Sequence, residues 1–220
     1  MHPLDNPVWH SLIGPHSSVA IAKGGARRYD PQTLPFGAID SPSATLDLVD
    51  LLEVGETIMV GGVIPSGSGL QQIDGLVIQQ FVWSKPNPQL DDVRVIALGA
   101  EHIPAMVALT AEVYPTYFRE RTATLGPYWG VFQNGQLVAM AGVRMTLDDF
   151  EEVSGVVVRE ENRGQGLGSA VTLAVVSNIL SRGKQPFLHT EDQNVVAKRL
   201  YERLGFEWRT IRHTGKFMRI

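Results

Sequence analysis

The 220-residue sequence predicts an α/β fold (an α+β mixed sheet), and three observations carry that prediction. The first is Glu152 to Gly168, EVSGVVVREENRGQGLG, where a β-branched run breaks into a polar turn and then into glycines. The helix-forming SAVTLAVVSNIL follows, so the order is strand, glycine loop, helix. The second is Asn134-Gly135 between the runs 127–133 and 136–145, the dipeptide best suited to a two-residue hairpin turn because both positions tolerate positive φ. The third is a second helix opening near Asn194, just after the short strand Pro186 to Thr190.

The elements between these fall in order. VRVIAL, from Val93, has strand character. In Glu101 to Tyr114 the apolar positions Ile103, Met106, Val107, Thr110, Val113 and Tyr114 are spaced for an amphipathic helix. The hairpin comes next, then a strand over Glu151 to Val158, the glycine loop and its helix, the 186–190 strand and the Asn194 helix. Two closing strands are expected near Phe206 to Ile211 and Lys216 to Ile220. The predicted order is β-α-β-β-β-α-β-α-β-β.

Residues 1–83 carry weaker signals. Helix-like pieces are Pro7 to Ile13 and Ser43 to Leu52; strand-like pieces are Val19 to Ala22, Thr57 to Val63 and Leu76 to Trp83. Gly67-Ser68-Gly69 is followed by no convincing helix and reads as a flexible loop. Ser84 to Asp92, SKPNPQLDD, has two prolines and no apolar periodicity, which makes it a linker. Three segments result: 1–83, the linker 84–92, and 93–220.

Composition excludes several function classes. At 44% hydrophobic the chain can bury a substantial core, and a net charge of -4 gives no support for nucleic acid as a partner. The absence of cysteine removes disulfides, thiolate metal sites and a cysteine nucleophile together. MHPLDNPVWHSL lacks a basic start, and no stretch approaches the ~20 apolar residues of a membrane span. A soluble cytoplasmic protein, with no metal and no membrane partner, is the expectation.

Glycines at 164, 166 and 168 remove Cβ atoms that would hold a ligand off the backbone. The helix that begins there aims its unpaired N–H groups and positive dipole end at the loop, which suits a phosphate. A Walker loop requires Gly-Lys-Ser/Thr, but Gly168 is followed by Ser169. A dinucleotide fingerprint requires G-x-G-x-x-G and an acid about twenty residues on, and neither is present. The remaining pattern is R/Q-x-x-G-x-G/A, met by Arg163, Gly166 and Gly168. Downstream, Asn194, Ala197, Leu200, Tyr201, Gly205 and Phe206 fit N-x-x-A-x-x-L-Y-x-x-x-G-F in register.

These two motifs, in this order and separation, resemble the GNAT superfamily of acyl-CoA N-acyltransferases, over roughly residues 93–220. The opening NPVWHSLIGPH resembles a subgroup with a truncated, degenerate GNAT-like N-terminal domain. The resemblance implies a GNAT-like fold, acetyl-CoA as cosubstrate, and direct transfer to a primary amine. The acceptor is expected to be a small molecule or a peptide, with a homodimer compatible with the reading.

It also implies roles by position. The cofactor is expected along Val156, Val157 and Val158, over Arg163, Gly164, Gln165, Gly166, Leu167, Gly168 and Ser169, and at Asn194 and Tyr201. Asn194 also reads as a plain helix cap. Glu152, eleven positions before Arg163, is the candidate base, and the acidic stretch Asp148, Asp149, Glu151, Glu152 would attract a cationic acceptor. The plain reading of Glu152 is an exposed strand carboxylate. His189 is the reserve base. Tyr201 is the candidate acid for the departing thiol, although Ala197, Leu200, Tyr201 and Leu204 also form one buried helical stripe. Ser154 and Ser169 lie in no G-x-S-x-G elbow, so neither reads as an acyl carrier. Two rivals stand beside the enzyme: an acyl-CoA-binding sensor without turnover, and a phosphate-loop nucleotide binder.

Overall fold

A computed structural model describes residues 2–89, 92–115 and 117–220. In chain order the elements are α1 (Pro7–Ile13), β1 (Ala20–Lys23), β2 (Ala26–Tyr29), β3 (Phe36–Ile39), α2 (Thr45–Val49), β4 (Thr57–Gly61), β5 (Leu70–Trp83) and β6 (Val95–Leu98). Then come α3 (Ile103–Ala111), β7 (Tyr128–Gln133), β8 (Gln136–Thr146), β9 (Phe150–Val158), α4 (Leu167–Ser181), β10 (Gln185–Glu191), α5 (Val195–Leu204) and β11 (Phe206–Arg219). The strands form one mixed sheet in the order β1-β2-β3-β4-β11-β5-β10-β9-β8-β7-β6. The fold is α/β with the GNAT arrangement expected from the sequence.

The hairpin forms where Asn134-Gly135 places it, with φ of 50° and 77° at the two turn residues and Gln133 opposite Gln136. Two sequence expectations need correction. The closing strands are a single strand, β11, bulged between Trp208 and Thr210 and between Lys216 and Phe217. Gly215 looks like a turn signal in sequence, but a Cβ there would overlap the Phe217 ring, so the glycine makes room for packing inside a continuous strand. β2 and β3 were not expected. Their residues AR-RY and FGAI are short and buried, and Arg28 in β2 is held by Glu56 at 3.0 Å from Nη1.

The linker reading does not divide the sheet, and Leu90 and Asp91 within it lie outside the described residues. β5, from before the linker, is inserted between β10 and β11 and pairs antiparallel with both. On one sheet face α4 buries Val171, Val175, Val176 and Ile179 against Phe81, Ala139, Val143, Val153 and Leu188. Because strand side chains alternate, Gln80, Glu152 and His189, each adjacent to one of those residues, project from the other face. That face is covered by α1 and by the segment around Leu34 and Phe36, packed on Met145, Leu147 and Phe187.

Candidate active site

β9 and β10 run parallel and pair only at their beginnings, through Gln185 with Phe150, Pro186 with Glu151 and Phe187 with Glu152. Beyond Phe187, β10 continues against β5 and β9 against β8, so the two strands separate and leave a cleft in the middle of the sheet. In β9 the register with β8 slips between Gly142 opposite Ser154 and Met140 opposite Val157. Gly155, at φ 61°, sits in that slip. A bulge of this kind leaves peptide groups outside the strand pairing, here at the edge of the cleft.

The glycine loop closes one end of the cleft. Gly164 and Gly166 have φ of 78° and 76°, a conformation that β-carbon-bearing residues rarely adopt. A Cβ on either would meet nothing within 4 Å, so the space above the loop is open. Gly166 is the N-cap of α4, whose 15 residues aim their first N–H groups into that space. Gln133 ties the loop to the hairpin by accepting from Asn162 at 2.8 Å and donating to Gln165 at 3.2 Å. Gly168 differs from the other two. Its Cβ would make ordinary contact with Val158 at 3.5 Å and Leu200 at 3.6 Å, so its place is close packing of α4 on β9 and α5.

At the other end lies a cavity of about 300 Å³, to which Ser154, Val156, Val157, Arg144, His189, Asn194 and Tyr201 contribute. Of the expected cofactor residues, Val156, Val157, Asn194 and Tyr201 line this cavity, while Val158 and Arg163 to Ser169 do not, and two placements need qualification. Asn194 caps α5 by accepting from Ala197 N–H at 3.0 Å, so its oxygen serves the helix and its amide nitrogen remains for a ligand. Glu152 is buried completely and is not among the residues lining the cavity.

The surroundings of Glu152 explain its position. Arg144 on β8 donates to both carboxylate oxygens, at 2.8 and 2.7 Å, and His189 Nδ1 lies 2.8 Å from Oε1. Burial alone would raise the Glu152 pKa, but the Arg144 charge and the hydrogen bonds from His189 and Arg144 outweigh it and hold the carboxyl at about 2. It is neither exposed nor a ready proton acceptor. Glu151, one residue earlier and on the opposite face, is paired with Arg182 and with Lys184 at 3.8 Å. The two carboxylates of β9 are thus neutralised locally and supply no attraction for a cation.

The polar row continues across the sheet. His189 Nε2 lies 2.9 Å from Gln80 Nε2, and that same amide nitrogen donates to the Leu4 carbonyl at 2.9 Å. Gln80 Oε1 accepts from Arg209 at 2.7 Å, and Arg209 in turn pairs with Asp5 at 2.9 Å. The amide can satisfy all three neighbours only by donating to His189, which makes Nε2 the unprotonated ring nitrogen and Nδ1–H the donor to Glu152. Tyr201, 7% exposed, faces the cavity, and its phenol has no hydrogen-bond partner among the described residues. Burial, with a further contribution from Tyr114, raises its pKa, so the hydroxyl keeps its proton near neutrality.

Arg144 and Gln80 went unnoticed in the sequence. A signal existed for the first: Arg144 is the one charged residue in QLVAMAGVRMT, and a charge in an apolar central strand requires a buried partner. Gln80 carries no such mark.

A sheet split at its centre, with a glycine loop at a helix N-terminus at one end and a cavity holding a phenol and an imidazole at the other, is the arrangement that the resemblance to the GNAT superfamily implies. Comparison with known proteins agrees. Residues 128–214 match the FR47-like protein family. A crystal structure of an acetyltransferase assigned to the GNAT family, from Novosphingobium aromaticivorans, is 36% identical, covers 100% of both chains and superposes with a TM-score of 0.94. A GCN5-related N-acetyltransferase from Kribbella flavida, at 17% identity over 96% of this chain and 93% of its own, has a TM-score of 0.63 and shares the fold. Mycothiol acetyltransferase of Thermobispora bispora is 50% identical over 56 residues, 25% of this chain, and the match spans only 19% of that protein. The chain belongs to the GNAT family of acetyltransferases. Enzymes of this family use acetyl-CoA as cosubstrate, and among the described residues no helix is long and apolar enough to cross a membrane.

Proposed function

We propose that this protein transfers an acetyl group from acetyl-CoA directly to a primary amine, with residues 93–220 supplying most of the catalytic machinery and residues 1–83 a smaller GNAT-like part. The observation that carries the reading is the central split: an open, glycine-lined cradle at the N-terminus of α4 leads along β9 into a cavity faced by Tyr201 and His189. The cradle fits a pyrophosphate because a Cβ at Gly164 or Gly166 would occupy the space in front of the helix N–H groups. Arg163 adds a positive charge there. The free edge of β9 at Val156, Val157 and Val158 suits an extended amide-bearing arm, and the Asn194 amide nitrogen faces the same cleft.

Bound acetyl-CoA supplies a thioester whose carbonyl carbon an amine nitrogen attacks, forming a C–N bond as the C–S bond breaks. The chain's own groups then have separate tasks. His189 Nε2 takes the proton from the incoming ammonium once the Gln80 amide that donates to it moves aside, while Glu152 holds Nδ1–H and stabilises the imidazolium that results. Glu152 thus acts through His189 and Arg144 instead of taking the proton itself. The Tyr201 phenol gives a proton or a hydrogen bond to the departing sulfur, and the Gly155 bulge offers peptide N–H groups to the carbonyl oxygen.

Thermal shifts with acetyl-CoA, ATP and NAD test the cofactor, followed by thiol release with a panel of amines. Acetyl-CoA at one hundred times its dissociation constant is expected to stabilise the fold by about 2.7 kcal/mol, with little effect from ATP or NAD. Equal shifts from all three contradict the reading. Acetyl-CoA binding without thiol release from any amine supports a sensor.

A further inference from the structure

Beyond β9, β10 and α5, the cavity has a wall built by other parts of the chain. Val8, Leu34, Phe36, Met59, Tyr117 and Phe118 line it, and all are apolar or aromatic. The Phe36 ring is fixed from two sides, by the Tyr117 ring edge-on at 5.5 Å and by the Arg144 guanidinium at 5.0 Å from its centroid. This stretch of wall is mainly apolar and aromatic and offers little hydrogen bonding.

The charges lining the cavity nearly cancel. Arg144 is paired with Glu152, while Arg212, which donates to the Asp5 carbonyl and lies 3.7 Å from the Asp5 carboxylate, shares that one carboxylate with Arg209 at 2.9 Å. His189 has both ring nitrogens hydrogen-bonded. Glu191, at the end of β10, is the lining residue whose charge has no ion-pair partner among the described residues. Glu191 leaves one carboxylate free to take an ammonium, and the wall at Phe36 and Tyr117 suits an apolar body. A sugar would leave hydroxyls unpaired against Phe36 and Met59, and a polyamine would bury a second ammonium there.

We infer that the acceptor is a primary monoamine carried on an apolar body of aromatic-ring size, its ammonium drawn in by Glu191 and its body seated on Phe36 and Tyr117. This rests on the acetyltransferase reading above and specifies its second substrate.

The experiment measures thiol release at saturating acetyl-CoA with 2-phenylethylamine, glucosamine and spermidine. The expected kcat/KM for 2-phenylethylamine exceeds the other two by about 10²-fold, the discrimination that burial of one ring provides. Tyr117→Ala, at a partly exposed position, is expected to raise KM for 2-phenylethylamine by about tenfold. Glu191→Gln should raise it too, with the increase shrinking at high salt. Equal or better turnover of glucosamine or spermidine overturns the inference, as does an unchanged KM in both variants. If acetyl-CoA binds but no amine releases thiol, the acetyltransferase reading fails. Calorimetry on CoA-loaded protein still decides the acceptor class: preferential binding of 2-phenylethylamine supports it, and weaker or equal binding overturns it.

Discussion

The two ends of the cleft are built in opposite ways. At the glycine loop, the groups open to the cleft come from one continuous stretch, Arg163 to Ser169, at the N-terminus of α4. At the cavity, Arg144 and His189 belong to a row of side chains from β5, β8, β9, β10, β11 and the N-terminal segment, Arg144, Glu152, His189, Gln80, Arg209 and Asp5. The first end tolerates change in side chains and depends on φ and helix direction. The second depends on every member of a low-dielectric network. Substitutions at the two ends should therefore fail differently.

The largest effect is expected at Arg144. Arg144→Met leaves the buried Glu152 carboxylate without its counter-charge, and a loss of about 3–5 kcal/mol in denaturant unfolding is expected. A small loss would mean the pair is not closed off from water. His189→Ala and Tyr201→Phe come next. Each is expected to lower turnover by about 10²-fold while acetyl-CoA still binds. For Tyr201→Phe the melting temperature should hardly move, because the removed oxygen has no hydrogen-bond partner among the described residues. Full activity in that variant returns Tyr201 to the Ala197, Leu200, Leu204 stripe as packing alone.

Acid separates the regions further. His16 sits under α1, its pKa lowered by burial to about 4, with Ser11 at 3.0 Å and Tyr29 at 2.9 Å. Its folded value lies below its unfolded 6.5, so the unfolded chain binds the extra proton, and stability falls as pH drops from about 6.5 towards 4. The depressed Glu152 contributes stability that is full above its unfolded value of 4.5 and is lost as pH falls towards about 2. Unfolding free energies across pH should show two successive declines. His16→Asn should remove the upper one and Arg144→Met the lower. A single decline that neither variant alters would contradict this assignment.

The contrast also explains what the sequence disclosed. Glycine spacing, the Asn134-Gly135 turn and the Asn194 to Phe206 helix report local backbone geometry, so the cradle, the hairpin and α5 were legible in consecutive residues. The cavity was legible only in part. Tyr201 and His189 were found, but although Arg144 stands out as the one charge in an apolar strand, nothing local names Glu152, eight residues later, as its partner. Gln80 reaches His189 across 109 positions because β5 enters the sheet between β10 and β11, a pairing that no local pattern encodes. Phe36 and Tyr117 likewise meet only in the folded chain.

The separation of the two ends is tested most directly by calorimetric titration of acetyl-CoA into Arg163→Ala and Tyr117→Ala. Arg163→Ala should weaken acetyl-CoA by about tenfold, the value of one charge-assisted contact at an exposed site. Tyr117→Ala should leave that affinity unchanged while impairing use of the amine. Wild-type affinity in Arg163→Ala, or a loss in Tyr117→Ala as large as at the cradle, would contradict a cofactor end and an acceptor end built from separate parts of the chain.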